Sequence, residues 1–367
     1  MATVYLHIGA PKTATSNLQG LLAENYQTLL GQSVLYPKLL RHGDAHHTLV
    51  ADLIQVYQGH SMADLWYGDR TRGEAWRDLQ QEIDEHVGIE KIILSSELFF
   101  GQTRRLEDML ADIRGRLKNH EIKVIVYLRR QDQLYSSFFN QDVKGARQWA
   151  HNAYQFFETH QIFQQGYDEL LDVWGDAIGR ENMLVRPYEP PQWVGGNIAE
   201  DFCALVGINP LKEKPLAPNP SLGPTQLYIK QCLNRVGYDK AENESVLAVL
   251  TEVCPEEPTS LCTYVHKGLY RRYRRNWIHV NKRLAERYLA GKPFFLEPIP
   301  PAEKVSEYRL DRARLHASLD LLYQFLSEGA DHKHRSLFAR AMLLMMSECD
   351  LWDAFDARRA DGLLQWL

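Results

Sequence analysis

Between Gly9 and Ser16 the chain reads Gly-Ala-Pro-Lys-Thr-Ala-Thr-Ser, three hydroxyls and one cation in a short run after an apolar stretch. Hydroxyls, backbone N–H groups and a lysine in one tight loop are the equipment for holding an anion. Against the phosphate-loop pattern G-x-x-x-x-G-K-[ST], Ser16 falls in register, whereas Ala14 stands where the second glycine belongs and Thr15 where the lysine belongs. Lys12 occupies the middle of the loop instead. A β,γ-phosphate with magnesium is poorly served by that placement, and a 5′-phosphate carrying a smaller, less charged group suits it better. The plainer alternative is a turn and helix cap, with Thr15 or Ser16 capping.

Two further stretches carry chemistry of matching kind. In "VIVYLRRQDQLYSSFFNQ" (124–141) an apolar run ends at Leu128, Arg129 and Arg130 follow, and Ser136 and Ser137 fall on the early turns of the next helical pattern. Open α/β sheets bind ligands at the C-terminal ends of their strands, so Arg129 or Arg130 with a serine hydroxyl makes a second anion site on the same edge as the loop. The planar guanidinium fork suits a terminal phosphate. Arginines merely solvated at a helix start would oppose its dipole. In "KIILSSELFFG" Glu97 closes another apolar run, where a carboxylate can take the proton of an acceptor hydroxyl. Its alternative is an acidic residue favoured at a helix start.

The elements that must position these groups are legible as alternating runs. "TVYLHI" is β-branched and aromatic and is bounded by Gly9 and Pro11, which reads as a buried strand leading into a helix over 15–30. Strands are also expected over 91–96, 122–128 and 182–188, separated by the helical patterns "RLEDMLADIRGRLKN" and "GYDELLDVWGDAIG". Such alternation implies a parallel sheet with helices on both faces, a three-layer α/β core. Beyond the proline-rich "NPLKEKPLAPNPSLGP" the character changes to helices, expected over 224–236, 240–253, 264–290, 307–328 and 334–365. The expected division is therefore an α/β core over 1–215 and a mostly helical region over 216–367, which completes an acceptor cleft or forms an oligomer interface.

Taken together, Pro11-Lys12-Thr13-Ala14-Thr15-Ser16 resembles the 5′-phosphosulfate-binding loop of sulfotransferases that use 3′-phosphoadenosine 5′-phosphosulfate (PAPS), a P-loop-like fold. Arg129 with Ser137, eight residues on, resembles their 3′-phosphate motif, and Ser95-Ser96-Glu97 is similar to the base segment of the carbohydrate-type and bacterial branch. "NMLVRPYE" and "NIAEDFCALVGI" are similar to downstream segments of bacterial members. The resemblance implies a PAPS-dependent sulfotransferase in which Glu97 is the base and Lys12 faces the oxygen bridging phosphate and sulfate. It implies Pro11, Lys12, Thr13, Ala14, Thr15, Ser16, Arg129 and Ser137 as donor ligands, no metal, and a hydroxylated acceptor of glycan, glycolipid or small-metabolite kind. Departures are Ala14 for a frequent glycine, Asn17 for a common aromatic, and no R-K-G-x-x-G segment of the cytosolic eukaryotic branch. A P-loop small-molecule kinase and a non-catalytic nucleotide-binding scaffold are the alternatives.

Composition narrows the rest. A net charge of −5 gives no global attraction for nucleic acid or anionic membranes. Five scattered cysteines without C-x-x-C spacing fit reduced thiols in a cytoplasm, and no run approaches the roughly 18 apolar residues of a membrane span. "RHGDAHH" (41–47) offers His42, His46 and His47 as acceptor base or substrate contacts, with a metal reading disfavoured because consecutive residues rarely converge on one ion. "YRRYRRNWIHVNKR" (270–283) sets Arg271, Arg272, Arg274 and Arg275 among Tyr270, Tyr273 and Trp277, which suits an acceptor wall, a 3′-phosphate clamp or a solvated face. "LFARAMLLMM" is expected in a core or at a subunit interface.

Overall fold

The computed structural model describes the chain except residues 60–69, 72, 103, 161–165, 214–220, 258–266, 305–309 and 352–356. The expected boundary at 215 and Cys262 lie outside the described residues. Five strands, β1 (Thr3–His7), β2 (Val34–Leu35), β3 (Lys91–Ser95), β4 (Glu121–Leu128) and β5 (Met183–Pro187), form one sheet in the order β2-β3-β1-β4-β5. Every pairing is parallel. The chain is thus α/β, and after β5 all regular elements among the described residues are helical.

Both faces of the sheet are covered, which explains why its strands read as continuous apolar runs. Tyr5, Ile93, Ile125 and Tyr127 pack on one face with Leu18, Leu21 and Leu22 of the helix Thr15–Glu24 and Phe202 and Val206 of the helix Ile198–Val206. The alternate residues Val4, Leu6, Ile92, Leu94, Val124 and Val126 are equally buried on the other. Burying one such side chain stabilises the fold by about 1.5–3 kcal/mol. On the first face Asp201 accepts from the Tyr127 hydroxyl at 2.8 Å and from Arg186 Nε at 3.1 Å, so its buried charge is paired.

Some expected elements are broken. The helix expected over 15–30 stops at Glu24 and restarts at Tyr26, because Asn25 Nδ2 donates to the carbonyls of Leu21 and Lys212. The helix expected over 334–365 is instead His332–Cys349 and Ala357–Gln365, with Asp350 left-handed at the first one's end. β2 was not expected, since two residues are too few for a periodicity.

The described chain forms two compact units that interleave in sequence: 1–130 with 165–217 and 276–298, and 131–164 with 218–275 and 299–367. The first holds the whole sheet. In the second, Phe338, Met342, Met345 and Met346 of "LFARAMLLMM" are buried core. There Tyr270 and Arg274 both donate to the Pro300 carbonyl at 2.7 Å, so these two members of the arginine and tyrosine cluster hold a neighbouring segment rather than face solvent. Tyr270 is fully buried, and Trp277, in the first unit, nearly so, which removes both as exposed stacking platforms. Among the described residues no helix is long and apolar enough to cross a membrane.

Candidate active site at the strand ends

β1 is the central strand, and the chain leaves it for β2 and β3 on one side and for β4 and β5 on the other. Open α/β sheets bind their ligands at the C-terminal edge beside such a switch of direction. The loop from Gly9 to Ala14 starts as an extension of the sheet: Ala10 N–H donates to Tyr127 O and Tyr127 N–H to Gly9 O, both at 2.8 Å. Lys12 and Ala14 then take left-handed backbone conformations, φ 64° and 59°, before the helix Thr15–Glu24 begins. Left-handed residues just ahead of a helix start turn successive N–H groups toward a common point, an anion cradle. Ala14 sits in a conformation where a glycine would be at ease.

Thr13 is tied into the loop itself. Its hydroxyl is fully buried and donates to the Ala10 carbonyl, which braces the loop. Thr15 is buried at the helix start and Ser16 is exposed. At β4, Arg129 reaches back to donate to the Lys12 carbonyl at 3.2 Å and lies over the Tyr188 ring. Arg130 is buried and donates to the Glu297 carboxylate at 3.0 Å, with the Glu297 and Pro298 carbonyls at 3.4 Å. The two arginines therefore have distinct jobs: Arg129 is joined to the loop and Arg130 to the segment 297–298. Ser137 lies on the helix Gln131–Lys144, in the second unit.

The parallel register sets His7 beside Ser95 at the ends of β1 and β3. His7 Nδ1 lies 2.8 Å from Ser95 Oγ, and the Ser96 N–H donates to His7 O. Chain direction then delivers Glu97, which opens the short 3-10 turn Glu97–Phe99. The loop presses against it: a side chain built on Gly9 would come within 3.2 Å of Glu97 Cβ, and Gly9 has φ 108°. The positive φ calls for glycine, and a Cβ there would also crowd Glu97. Gln19, on the buried face of the helix Thr15–Glu24, donates to Glu97 Oε2 at 3.0 Å and Ser95 Oγ at 3.2 Å. From the other side His47 Nε2 stands 3.9 Å from Glu97 Oε1, while its Nδ1 is 2.8 Å from Ser96 Oγ.

The three histidines of "RHGDAHH" are thereby separated. His46 is fully buried, and because its Nδ1 accepts from Ser95 N–H at 3.1 Å, its Nε2 carries the proton and donates to Pro37 O at 2.9 Å. Burial pushes its pKa down to about 3, and that of His7 to about 4, so both are neutral at ordinary pH. Burial also lowers His47, with Glu97 opposing that shift and His42 reinforcing it. Among the described residues no group of three or more His, Cys, Asp or Glu is placed to hold a metal ion.

Gln19 was not foreseen, although a glutamine in the apolar stripe Thr15, Leu18, Gln19, Leu22 is itself a signal. Of the expected groups in the first unit, the structure brings Lys12, Arg129 and Glu97 to one edge.

No family model matches the chain. An uncharacterized protein of Archaeoglobus fulgidus is 24% identical over 244 residues, and the chain spans 65% of that relative's length, with 65% of this chain covered. Among solved structures, a sulfotransferase from Alicyclobacillus acidocaldarius matches at 15% identity over 68% of this chain and 95% of that one, with a TM-score of 0.40. A likeness that distant carries no argument about activity.

Proposed function

We propose that this chain is a sulfotransferase that moves a sulfuryl group from PAPS to an acceptor hydroxyl by in-line displacement. The observation that carries the reading is the convergence of a left-handed lysine loop and a held carboxylate: Gly9 lies against Glu97, and Lys12 follows three residues later. The motif resemblance of 11–16 and 95–97 adds to it. Pro11 to Ser16 fit a 5′-phosphosulfate, because N–H groups at a helix start and a mid-loop cation match one phosphate with a small charged appendage. Arg129 is assigned to the 3′-phosphate, since Arg130 is tied to Glu297.

In this mechanism Glu97 takes the acceptor's proton as the acceptor oxygen attacks sulfur. Lys12 and the loop N–H groups neutralise the charge that collects on the departing phosphate oxygen. Proximity of base, acceptor and donor at one strand edge supplies the orientation. No covalent enzyme intermediate and no metal enter the scheme. The acceptor is a hydroxylated small molecule, glycan or glycolipid headgroup.

Incubation with sulfur-labelled PAPS and a pooled set of hydroxylated metabolites and glycans tests the proposal. Labelled product without added magnesium is expected. No transfer to any acceptor would favour a non-catalytic scaffold, and phosphoryl transfer from ATP with strict magnesium dependence would favour a kinase.

A further inference from the structure

Gln19 stands one turn into the helix Thr15–Glu24 and is 3% exposed. A buried amide costs free energy unless its polar atoms are paired. Its Nε2 has two partners, Glu97 Oε2 at 3.0 Å and Ser95 Oγ at 3.2 Å, one for each N–H proton. A carboxylate acting as a base only accepts, so the end of the amide that faces it is the NH2 end. The orientation of Gln19 is thereby fixed by its partners.

The serine that shares this amide is itself held. Its N–H donates to His46 Nδ1 at 3.1 Å, its carbonyl accepts from His46 N–H at 2.8 Å, and its Oγ lies 2.8 Å from His7 Nδ1. Ser95, His7 and His46 are all fully buried. Gln19 thus leans on a serine locked into the sheet edge and extends its second proton to Glu97, whose Cβ lies against Gly9 of the loop. The loop from Pro11 to Ser16 runs into the start of the helix that carries Gln19. Four residues separate Thr15 from Gln19, about 6 Å along a helix axis. One rigid element therefore carries both the loop assigned to the donor and the amide that holds the base.

We propose that Gln19 is a positioning residue that fixes the plane of the Glu97 carboxylate relative to the donor loop. This rests on the sulfotransferase reading. Buried, with both N–H protons used within the protein, Gln19 acts through Glu97 and not on a substrate. It gives up no proton in the reaction. The acceptor's proton goes to Glu97 as the new O–S bond forms, and the old S–O bond breaks with its electron pair on the phosphate oxygen. Orientation of the base acts on the chemical step and not on the association of donor or acceptor, so the contribution of Gln19 falls on kcat.

Glycerol serves as the hydroxyl probe with labelled PAPS as donor. Gln19→Met keeps the length and bulk of the side chain and removes the donor. It should lower kcat about 10–100-fold, the worth of a hydrogen bond to a charged group, with both KM values within about threefold of wild type. In the Glu97→Gln background, where no base is left to orient, the same substitution should change kcat about threefold or less, because residues that act as a unit are not additive. Gln19→Leu should repeat both results, so the test does not depend on one variant folding. Full kcat in Gln19→Met, or equal losses in the two backgrounds, would mean that Gln19 only fills space and overturns the proposal. Crystals give a reading that needs no turnover: Gln19 Nε2 within hydrogen-bond distance of Glu97 Oε2 is expected in the wild-type chain, and a carboxylate turned away from that place in Gln19→Met. An unmoved carboxylate in the variant overturns the positioning role. Absence of sulfuryl transfer in the wild type, with the carboxylate displaced in Gln19→Met, would count against the sulfotransferase reading and not against the positioning.

Discussion

Two buried polar clusters, one in each compact unit, are built from similar materials and end differently. In the second unit Lys230 is fully buried and donates to Val143 O at 3.1 Å and Asn234 Oδ1 at 2.6 Å. Asn234 Nδ2 donates to Val143 O and Trp149 O, and Asn243 Nδ2 to Lys144 O. Val143 and Lys144 close the helix Gln131–Lys144, whose last carbonyls have no partner within the helix. The cluster satisfies them and closes the end of the helix. In the first unit His7, His46, Ser95 and Gln19 are as deeply buried, yet their chain of contacts ends on Glu97, a carboxylate that is partly exposed beside the Lys12 loop. Burial pushes Lys230 down to about 7 much as it pushes His7 down to about 4. A displaced titration therefore marks burial in both places, and only the geometry separates a structural staple from a candidate site.

The sharpest way to break that contrast is substitution at its two ends. Glu97→Gln should lower turnover about 10²–10⁴-fold as a lost general base, with bisphosphate binding retained. Lys12→Ala should lower it about 10²–10³-fold. Steady-state rates with labelled PAPS read both effects, and near wild-type turnover in either variant would remove the role assigned to that residue.

Acidity should separate the units next. His7 and His46 have folded pKa values near 4 and 3, below the ordinary 6.5, so between those limits the unfolded chain binds more protons. Their neutral burial thus contributes fully above pH 6.5 and is lost as pH falls toward 4 and 3, a drop of several kcal/mol at about 1.4 kcal/mol per pH unit. Hydrogen exchange of the strand amides against pH measures it, and flat protection from pH 7 to about 4 would contradict it. Lys230 works over another window. With its ordinary value at 10.5 and its folded value about 7, its contribution is complete above 10.5 and declines as pH falls through 7. In Lys230→Met the stability rise between those pH values should disappear from urea unfolding of the second unit, with bisphosphate affinity unchanged.

The smallest effect is local to the loop. Ala14→Gly should raise stability by about 1 kcal/mol, because a left-handed alanine carries a steric cost that glycine does not. A shift of the urea midpoint to higher concentration is the expected sign.

The strands at the candidate site were legible because buried parallel strands are continuous apolar runs: those expected at 91–96, 122–128 and 182–188 lie within a residue or two of β3, β4 and β5. Legible too were the groups that follow directly on a strand end, such as Lys12, Glu97 and Arg129, since chain direction alone brings them to one edge. Gln19 and the separate fates of His46 and His47 were not. Their roles depend on contacts with Ser95, Ser96 and Glu97 from remote stretches of chain, and no local periodicity encodes such a contact. The same holds for the division of labour between Arg129 and Arg130, which Glu297 decides from far along the sequence.

Calorimetry of nucleotide binding tests the central claim most directly. Without magnesium, adenosine 3′,5′-bisphosphate should bind about 10–100-fold more tightly than adenosine 5′-monophosphate, the worth of charge-assisted bonds from Arg129 to the 3′-phosphate. Equal affinities, or binding that appears only with magnesium and ATP, would contradict the account.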